Sequence, residues 1–164
     1  GAAIVDADLF LIDDGAGGTM RKTAASRLKT YTSSGKIIQV VSGTVGSTTL
    51  SNESDYIGAG LSITPSSTSN KVLIFVSGYT EQTGGSAGEY ASIALREGTT
   101  AISTLADAWM YNIDVGARAF FSHNFIRSPS STSSVQYRLY HTNSSGTGNY
   151  AYKQQTWCLM EVAA

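Results

Sequence analysis

Cysteine is almost absent from this chain, whose 164 residues contain a single one, Cys158. An intrachain disulfide is therefore excluded, and a domain that works outside the cell would need another source of robustness. Cys158 stands in the apolar run Trp157–Met160, and no neighbouring group would activate a nucleophile there. We therefore predict that Cys158 is a small buried hydrophobic side chain.

Charge is also scarce. Asp, Glu, Lys and Arg make up 14% of the chain, against about a quarter in a typical soluble domain. The formal net charge is −1, so no basic excess exists to neutralise phosphates, and we expect no nucleic-acid partner. No apolar run approaches the roughly 20 residues that a membrane-spanning helix needs, and we expect no membrane insertion.

Small polar residues, glycine and tyrosine take the place of charge. Serine and threonine form roughly a quarter of the chain, and there are 17 glycines, nine tyrosines and only two prolines. This composition is typical of short strands joined by turns. Strand patterns occur at 36–42, 61–64, 71–79, 90–98, 117–127, 135–141 and 150–162, and 71–79 is apolar enough for a central strand. Seven or eight closely spaced strands predict an all-β domain, a jelly roll or β-sandwich, over residues 36–164.

Residues 1–35 have a different pattern and predict a separate strand-turn-helix segment. Residues 4–12 form an extended apolar run, 13–18 a turn, 19–22 a short returning strand and 23–31 a short helix capped by Thr23. A segment of this length rarely supports a core of its own, so its apolar residues are expected to pack against other copies of the chain. The predicted interface residues are Leu9, Phe10, Leu11, Ile12, Leu28 and Tyr31.

Patterns that support catalysis or metal binding are missing. His123 and His141 have no His or Cys at a ligand spacing, and 13–15 (Asp-Asp-Gly) lacks the 12-residue calcium-loop pattern. The sequence contains neither a nucleophile elbow nor a phosphate-binding loop. We therefore predict no catalytic residue, no metal and no cofactor. Asp107 and Asp114 could act as paired glycosidase carboxylates only if a cleft lay between them, which one short connection does not easily build.

Aromatic rings beside short amide side chains are a common means of binding sugars, because the rings stack and the amides form planar hydrogen bonds. Two groups fit this chemistry. The first is Trp109, Tyr111 and Asn112, and the second is Tyr140, His141, Asn143, Asn149, Tyr150 and Tyr152. In the alternative interpretation, half of these aromatic residues belong to the core or to a subunit interface.

Two stretches resemble the tail-fibre proteins of tailed bacteriophages, including marine phages. Residues 8–28 (Asp8-Leu9-Phe10 to Ser26-Arg27-Leu28) are similar to the strand, Asp-Gly turn, Arg-Lys and short-helix unit that recurs in such fibres. Residues 61–164 are similar to their C-terminal β-sandwich, which opens with a motif like 61–73 (LSITPSSTSNKVL) and closes with one like 159–164 (LMEVAA). The resemblance covers most of the chain. It implies a homotrimer, by analogy with the jelly-roll heads of the tumour-necrosis-factor and complement types. It also implies a place in the virion outside the cell, other virion proteins as partners, and a bacterial surface glycan or protein as receptor.

Three hypotheses about function follow. The first is a tail-fibre tip that binds a receptor, with the affinity of each site multiplied by trimeric avidity. The second is an architectural virion protein, such as a capsid decoration or a trimerisation knob, which would assemble without binding cells. The third is a small hydrolase of surface polysaccharide that uses Asp107 and Asp114.

Overall fold

The computed structural model describes residues 5, 9–13, 20–27, 35–51, 54–85, 90–111, 115–143 and 148–164, and these residues are almost entirely β-structure. The all-β prediction is confirmed. The strands are β1 (Leu9–Asp13), β2 (Met20–Ala24), β3 (Ile37–Val45), β4 (Thr48–Ser51), β5 (Asp55–Tyr56), β6 (Leu61–Ile63), β7 (Lys71–Gly84), β8 (Tyr90–Glu97), β9 (Thr100–Tyr111), β10 (Arg118–Arg127), β11 (Val135–Asn143) and β12 (Asn149–Val162).

Strands β1 and β2 form a two-stranded antiparallel sheet in which Leu9 lies opposite Ala24. The chain then turns helical over 25–27, and the remainder of the predicted helix lies outside the described residues. The prediction that Thr23 caps this helix is wrong, because Thr23 is buried in β2 opposite Phe10. A β-branched side chain at this position favours the strand.

The remaining strands form two antiparallel sheets that pack into a sandwich. In the first, here the β7 sheet, the order is β10-β7-β12-β3, and β4 also pairs with β12. In the second, here the β11 sheet, the order is β5-β11-β8-β9, and β6 also pairs with β11. The core between them is formed by Leu50, Ile57, Ile63, Val72, Ile74, Val76, Ile93, Leu95, Phe121, Tyr137, Leu139, Tyr150, Tyr152, Trp157 and Leu159.

Alternation along each strand decides which side chains reach this core. On β7, Val72, Ile74 and Val76 are buried, whereas Phe75 between them is exposed. Trp157 of β12 faces the same interior and lies between Val76 of β7 and Gly43 of β3. The inner faces of the two sheets thus pack against each other, and the outer faces point away from the core.

The sequence identified the long strands better than the short ones. The prediction of β7 as a central strand is confirmed, since it pairs on both sides, but the strand continues beyond the predicted 71–79 to Gly84. Strands β4 and β5 were missed because they are only four and two residues long. Most of strand β9 was also missed, because its polar and small residues alternate poorly.

Candidate functional site

The one fully buried carboxylate of the described residues, Glu161, is occupied by structural hydrogen bonds. Its two oxygens accept bonds from the Asn70 amide (2.6 Å), from the backbone N–H and hydroxyl of Ser66 (2.7 and 2.8 Å) and from the Gln39 amide (2.8 Å). Burial alone would raise the pKa of Glu161, but these donors outweigh it and hold the pKa at about 2. Glu161 therefore fastens the 61–73 segment to the last strand and is not poised to exchange protons near neutral pH.

The structure places His141 and Tyr152 inside the sandwich, where both are fully buried. The imidazole Nδ1 and the Tyr152 hydroxyl lie 2.5 Å apart. Burial lowers the pKa of His141 to about 4, so that the ring is neutral at physiological pH. The expectation that His141 belongs to a surface glycan site is corrected here, because β11 turns it toward the core; Tyr150 is buried as well. His123 also lies on an inner face, between Phe121 and Phe125 of β10.

The outer face of the β7 sheet carries an apolar stripe that crosses four strands. One cross-strand row consists of four directly paired residues, Val40, Met160, Leu73 and Ile126. Val40 is 54% exposed and Ile126 is 61% exposed. We define the apolar face as the outward apolar side chains of this sheet: Ile38, Val40, Leu73, Phe75, Phe120, Ile126 and Met160.

Charged side chains lie at the end of this face rather than at its centre. The rows next to the stripe contain Ser, Thr, Asn, Phe75 and Cys158. At the end of β7, Glu81 accepts ion-pair contacts from Arg118 (3.0 Å) and Lys153 (3.4 Å). Cys158, predicted to be buried, is half-buried on this face. The outer face of the β7 sheet therefore has an uncharged centre and carries charged residues at one end.

Two depressions of the apolar face lie beside Phe75. One, of about 370 Å³, lies between Leu73, Phe75, Phe125 and Ile126, with Asn124 as its single polar residue. The other, of about 140 Å³, has Ser77, Ser122 and Thr156 among its lining residues. Small-molecule sites usually measure roughly 300–1,000 Å³ and contain several convergent polar groups. The larger depression is therefore too apolar for a sugar, and the smaller one is too small.

The outer face of the β11 sheet carries a different feature, which we call the arginine–tyrosine cluster: Tyr56, Arg96, Arg138 and Tyr140. The guanidinium carbon of Arg96 lies 3.6 Å from the centroid of the Tyr140 ring, and that of Arg138 lies 3.6 Å from the Tyr56 ring. The two rings meet edge to face at 5.1 Å. Cation–π and edge-to-face contacts thus join β5, β8 and β11.

Few hydrogen bonds complete this cluster. The Arg96 and Arg138 side chains each donate one bond to a backbone carbonyl of the β8–β9 turn, at 3.3 and 3.4 Å. The Tyr140 hydroxyl donates to the carbonyl of Ser54 at 3.2 Å. The Nε–H groups of both arginines are buried without a hydrogen-bond partner within the described part of the chain. Most of the guanidinium donors therefore remain uncommitted.

The predicted glycan residues do not all come together. Tyr140 belongs to the arginine–tyrosine cluster, whereas Asn143 ends β11 and Asn149 begins β12. Trp109 and Tyr111 lie in β9, with side chains outside the described set, and Asn112 lies outside the described residues. Asp107 is likewise in β9 without a described side chain, and Asp114 is outside. The glycan role of the members that are not buried stays a prediction.

The predicted trimer residues lie mainly on the hairpin. Leu9 and Leu11 are both 61% exposed on one face of β1, and Phe10 is half-buried. Ile12 is in β1 without a described side chain, and Leu28 and Tyr31 lie outside the described residues. Exposed leucines on a two-stranded sheet are compatible with an interface, and their role in a trimer stays a prediction.

Sequence reasoning missed both outer faces. The signal for the cluster was the spacing Arg138–Tyr140, because residues two apart on a strand share a face. The signal for the apolar face was the unbroken apolar run of β7, which places large side chains on both sides of the strand. Neither signal identifies its cross-strand neighbours, which depend on register between segments distant in sequence.

The described residues contain neither a metal-binding cluster nor a bilayer-spanning helix. Within them, no three His, Cys, Asp or Glu side chains gather in a way that could hold a metal ion. The helical residues in the same part of the chain include no segment long and apolar enough to cross a bilayer.

No protein-family model and no curated protein sequence matches this chain. The chain is similar in structure to the VP2 subviral particle of infectious bursal disease virus, with 10% identity and a TM-score of 0.41 over 96% of this chain and 43% of that chain. It is also similar to the CBM22-1 xylan-binding domain from Paenibacillus barcinonensis Xyn10C, with 15% identity and a TM-score of 0.34 over 80% of this chain and 98% of that domain. This chain thus spans less than half of the VP2 chain. Similarity this distant concerns strand architecture and carries no function.

Proposed function

We propose that this chain is a non-enzymatic virion domain, the tip of a phage tail fibre, that forms a homotrimer through its apolar face and attaches the particle to a bacterial surface receptor. The apolar face is the observation that carries this proposal. The sequence resemblance to tail fibres supplies the biological setting, and the trimer is the assembly that the resemblance implies.

The exposure of the apolar face supports self-association. Five of its seven side chains are exposed, from 41% at Phe75 to 80% at Phe120, and exposed apolar patches on soluble proteins mark interaction sites. A face of this kind can supply apolar contacts to an interface, which in a standard complex buries roughly 800 Å² on each partner. Burying the apolar face in an interface would contribute a stabilisation of roughly 25 cal/mol for every Å² of apolar surface removed from water.

The composition of the apolar face favours a second copy of the chain over an unrelated partner. The interface cores of homomeric proteins are more apolar than those of transient complexes and are depleted of charge. The stripe from Val40 to Ile126 has this character, and the ion pairs of Glu81 lie at the end of the face. Most soluble oligomers are homomers with closed symmetry.

The polar interior supports a non-enzymatic domain. Glu161 and His141 have the titratable side chains that a catalyst would use, yet the structure commits both to buried hydrogen bonds. The proposed receptor contacts are Tyr140 of the arginine–tyrosine cluster and the sequence-predicted residues Trp109, Tyr111 and Asn112. Three copies on one tip would multiply a modest affinity for each site.

Native mass in solution tests the assembly. We expect native mass spectrometry of the full chain to give three times 17.3 kDa. Val40→Lys combined with Ile126→Lys should yield a folded monomer, because it places two charges in the apolar face. Ser62→Lys, which adds charge to the exposed outer face of the β11 sheet, is the matched control and should remain trimeric. A wild-type monomer would overturn the trimer, and failure of the trimer to adsorb to susceptible cells would favour a purely architectural role.

A stand-alone carbohydrate-binding module is the second candidate, in which the exposed Phe75 ring and the adjacent Ser77, Ser122 and Asn124 would form an open sugar-binding surface without an enclosing pocket. Aromatic walls beside hydroxyl and amide groups can hold a sugar ring. This candidate is weaker because neither depression suits an enclosed sugar, the larger being too apolar and the smaller too small. It predicts a monomer that binds neutral oligosaccharides and loses this binding on Phe75→Ala.

A further inference from the structure

The arginine–tyrosine cluster contains two positive charges placed directly beside each other. Arg96 of β8 and Arg138 of β11 are cross-strand partners in the ladder. Both guanidinium carbons lie near the Tyr56 ring, at 5.7 and 3.6 Å from its centroid. Like charges directly opposite each other destabilise a sheet, so this arrangement needs a compensating interaction.

The acidic residues nearby do not supply that compensation. Glu97, next to Arg96 in sequence, is paired with Arg127 at 2.9 Å. Asp55, next to Tyr56, accepts a hydrogen bond from the Tyr56 backbone N–H at 2.7 Å. Throughout the described ranges, no carboxylate lies within ion-pair distance of Arg96 or Arg138.

The tyrosine rings hold the arginines in place without neutralising them. Each guanidinium lies over a ring, and its terminal N–H donors that do not bond to the β8–β9 turn remain able to bind a ligand. The Tyr140 hydroxyl is itself held by the Ser54 carbonyl, which orients the ring beneath Arg96. The fork of a guanidinium matches the two oxygens of a carboxylate or phosphate and can bind them through two parallel hydrogen bonds. A pre-positioned pair of such forks is therefore a receptor for an anionic group.

We propose that the arginine–tyrosine cluster is a binding site for an oxyanion, a carboxylate or phosphate group, which bridges Arg96 and Arg138. The anion accepts hydrogen bonds from the uncommitted guanidinium nitrogens and removes the repulsion between the two side chains. The site lies on the β11 sheet and does not depend on self-association through the β7 sheet. An acidic saccharide and free phosphate both carry this chemistry.

Nuclear magnetic resonance titration of the full wild-type chain tests the site with three probes: trigalacturonate, its methyl ester and inorganic phosphate. We expect trigalacturonate or phosphate to shift the side-chain Nε–H signals of Arg96 and Arg138 at concentrations up to about 10 mM, and the uncharged ester to leave them unchanged. A response to trigalacturonate alone assigns the anion to a saccharide, and a response to phosphate alone assigns it to a phosphate group. No shift at these residues with either anion, or an equal shift with the ester, would overturn the proposal.

Variants then identify the groups that bind. Arg96→Gln and Arg138→Gln should each weaken anion binding about tenfold or more, because each removes charge-assisted hydrogen bonds. Arg118→Gln is the matched control, since Arg118 also lies over a tyrosine ring, 5.3 Å from the Tyr79 centroid, but is already paired with Glu81. It should bind as the wild type does. An equal loss in all three variants would show non-specific charge attraction and contradict the site, and the wild-type titration decides the matter if a glutamine variant does not fold.

Discussion

The two outer faces of the sandwich differ although the same alternation rule builds both. On the β7 sheet the outward positions of four strands form a charge-free stripe from Val40 to Ile126. On the β11 sheet they form the arginine–tyrosine cluster, with two stacked cations and no acidic partner in the described residues. Side chains at inward positions pack in one shared core. Side chains at outward positions do not contact that core, and they differ between the two faces. The difference indicates that one face is suited to an apolar partner and the other to an anionic one.

The largest expected effect comes from placing charge in the apolar face. Val40→Lys combined with Ile126→Lys should lower the native mass from trimer to monomer, since two unpaired cations would have to be desolvated in the interface. The same variant should leave anion-induced shifts of Arg96 unchanged, because the cluster is on the other sheet. A simultaneous loss of assembly and anion binding would show that the two faces are not independent. The thermal unfolding midpoint of the monomeric variant, measured by circular dichroism, checks that it remains folded.

A large loss of stability is expected from Gly60→Ala, beneath the cluster. Gly60 has a φ of +68°, and an added Cβ would collide with the carbonyl oxygen of Tyr137 and lie 2.6 Å from Cγ of Arg138. We expect about 3 kcal/mol of destabilisation in urea unfolding, from backbone strain together with the clash.

Gly98→Ala separates the two contributions to the Gly60→Ala effect. Gly98 also has a positive φ, +58°, but has no atom within 4 Å of the added Cβ. In Gly98→Ala only the left-handed backbone conformation is unfavourable, and we expect the free energy of unfolding to fall by about 1 kcal/mol. Equal losses of unfolding free energy in the two variants would show that the close approach of Gly60 to β11 does not contribute to the destabilisation.

The sequence predicted the long strands and the central position of β7 because a 2-residue period and unbroken apolar runs are local signals. It did not predict either outer face. The row Val40–Met160–Leu73–Ile126 joins four segments whose register is set only when the sheet forms, and Arg96 meets Arg138 across 42 positions. His141 was misplaced for a related reason, since alternation along β11 fixes that His141 and Tyr140 oppose each other but not which of them faces the core. The residues proposed to bind partners are thus those whose neighbours depend on pairing between distant strands.

A moderate loss of stability is expected from Glu161→Gln in the interior that both faces share. The amide would turn a donor toward Asn70 and Ser66, which already donate, and we expect a loss of about 2 kcal/mol in urea unfolding. The Glu81→Gln variant, in a surface ion pair, should leave the midpoint almost unchanged.

The pKa of Glu161 determines how the stability of the folded chain changes at acid pH. Its pKa is about 2 in the folded chain, below its ordinary value of 4.5, because hydrogen-bond donors outweigh the raising effect of burial. Its contribution to stability is therefore fully present above pH 4.5 and is lost as the pH falls toward 2. Wild-type stability should decline over this window more steeply than that of Glu161→Gln. Parallel declines would contradict the assigned role.

The smallest effect compares one aromatic side chain from each face. Tyr140→Leu should lower the unfolding free energy by about 1 kcal/mol, because it removes the ring under Arg96 and the edge-to-face contact with Tyr56. Phe120, by contrast, is 80% exposed and touches Tyr79 at a ring separation of 5.6 Å. Phe120→Ser should change the stability of the monomer by less than about 0.5 kcal/mol, as expected for an exposed position, while weakening the trimer. The effect on monomer stability is measured by urea unfolding of the monomeric variant Val40→Lys, Ile126→Lys, with and without Phe120→Ser. The effect on the trimer is measured by the concentration dependence of native mass. If Phe120→Ser destabilised the monomer and left assembly intact, Phe120 would belong to the fold and would not be part of the interface.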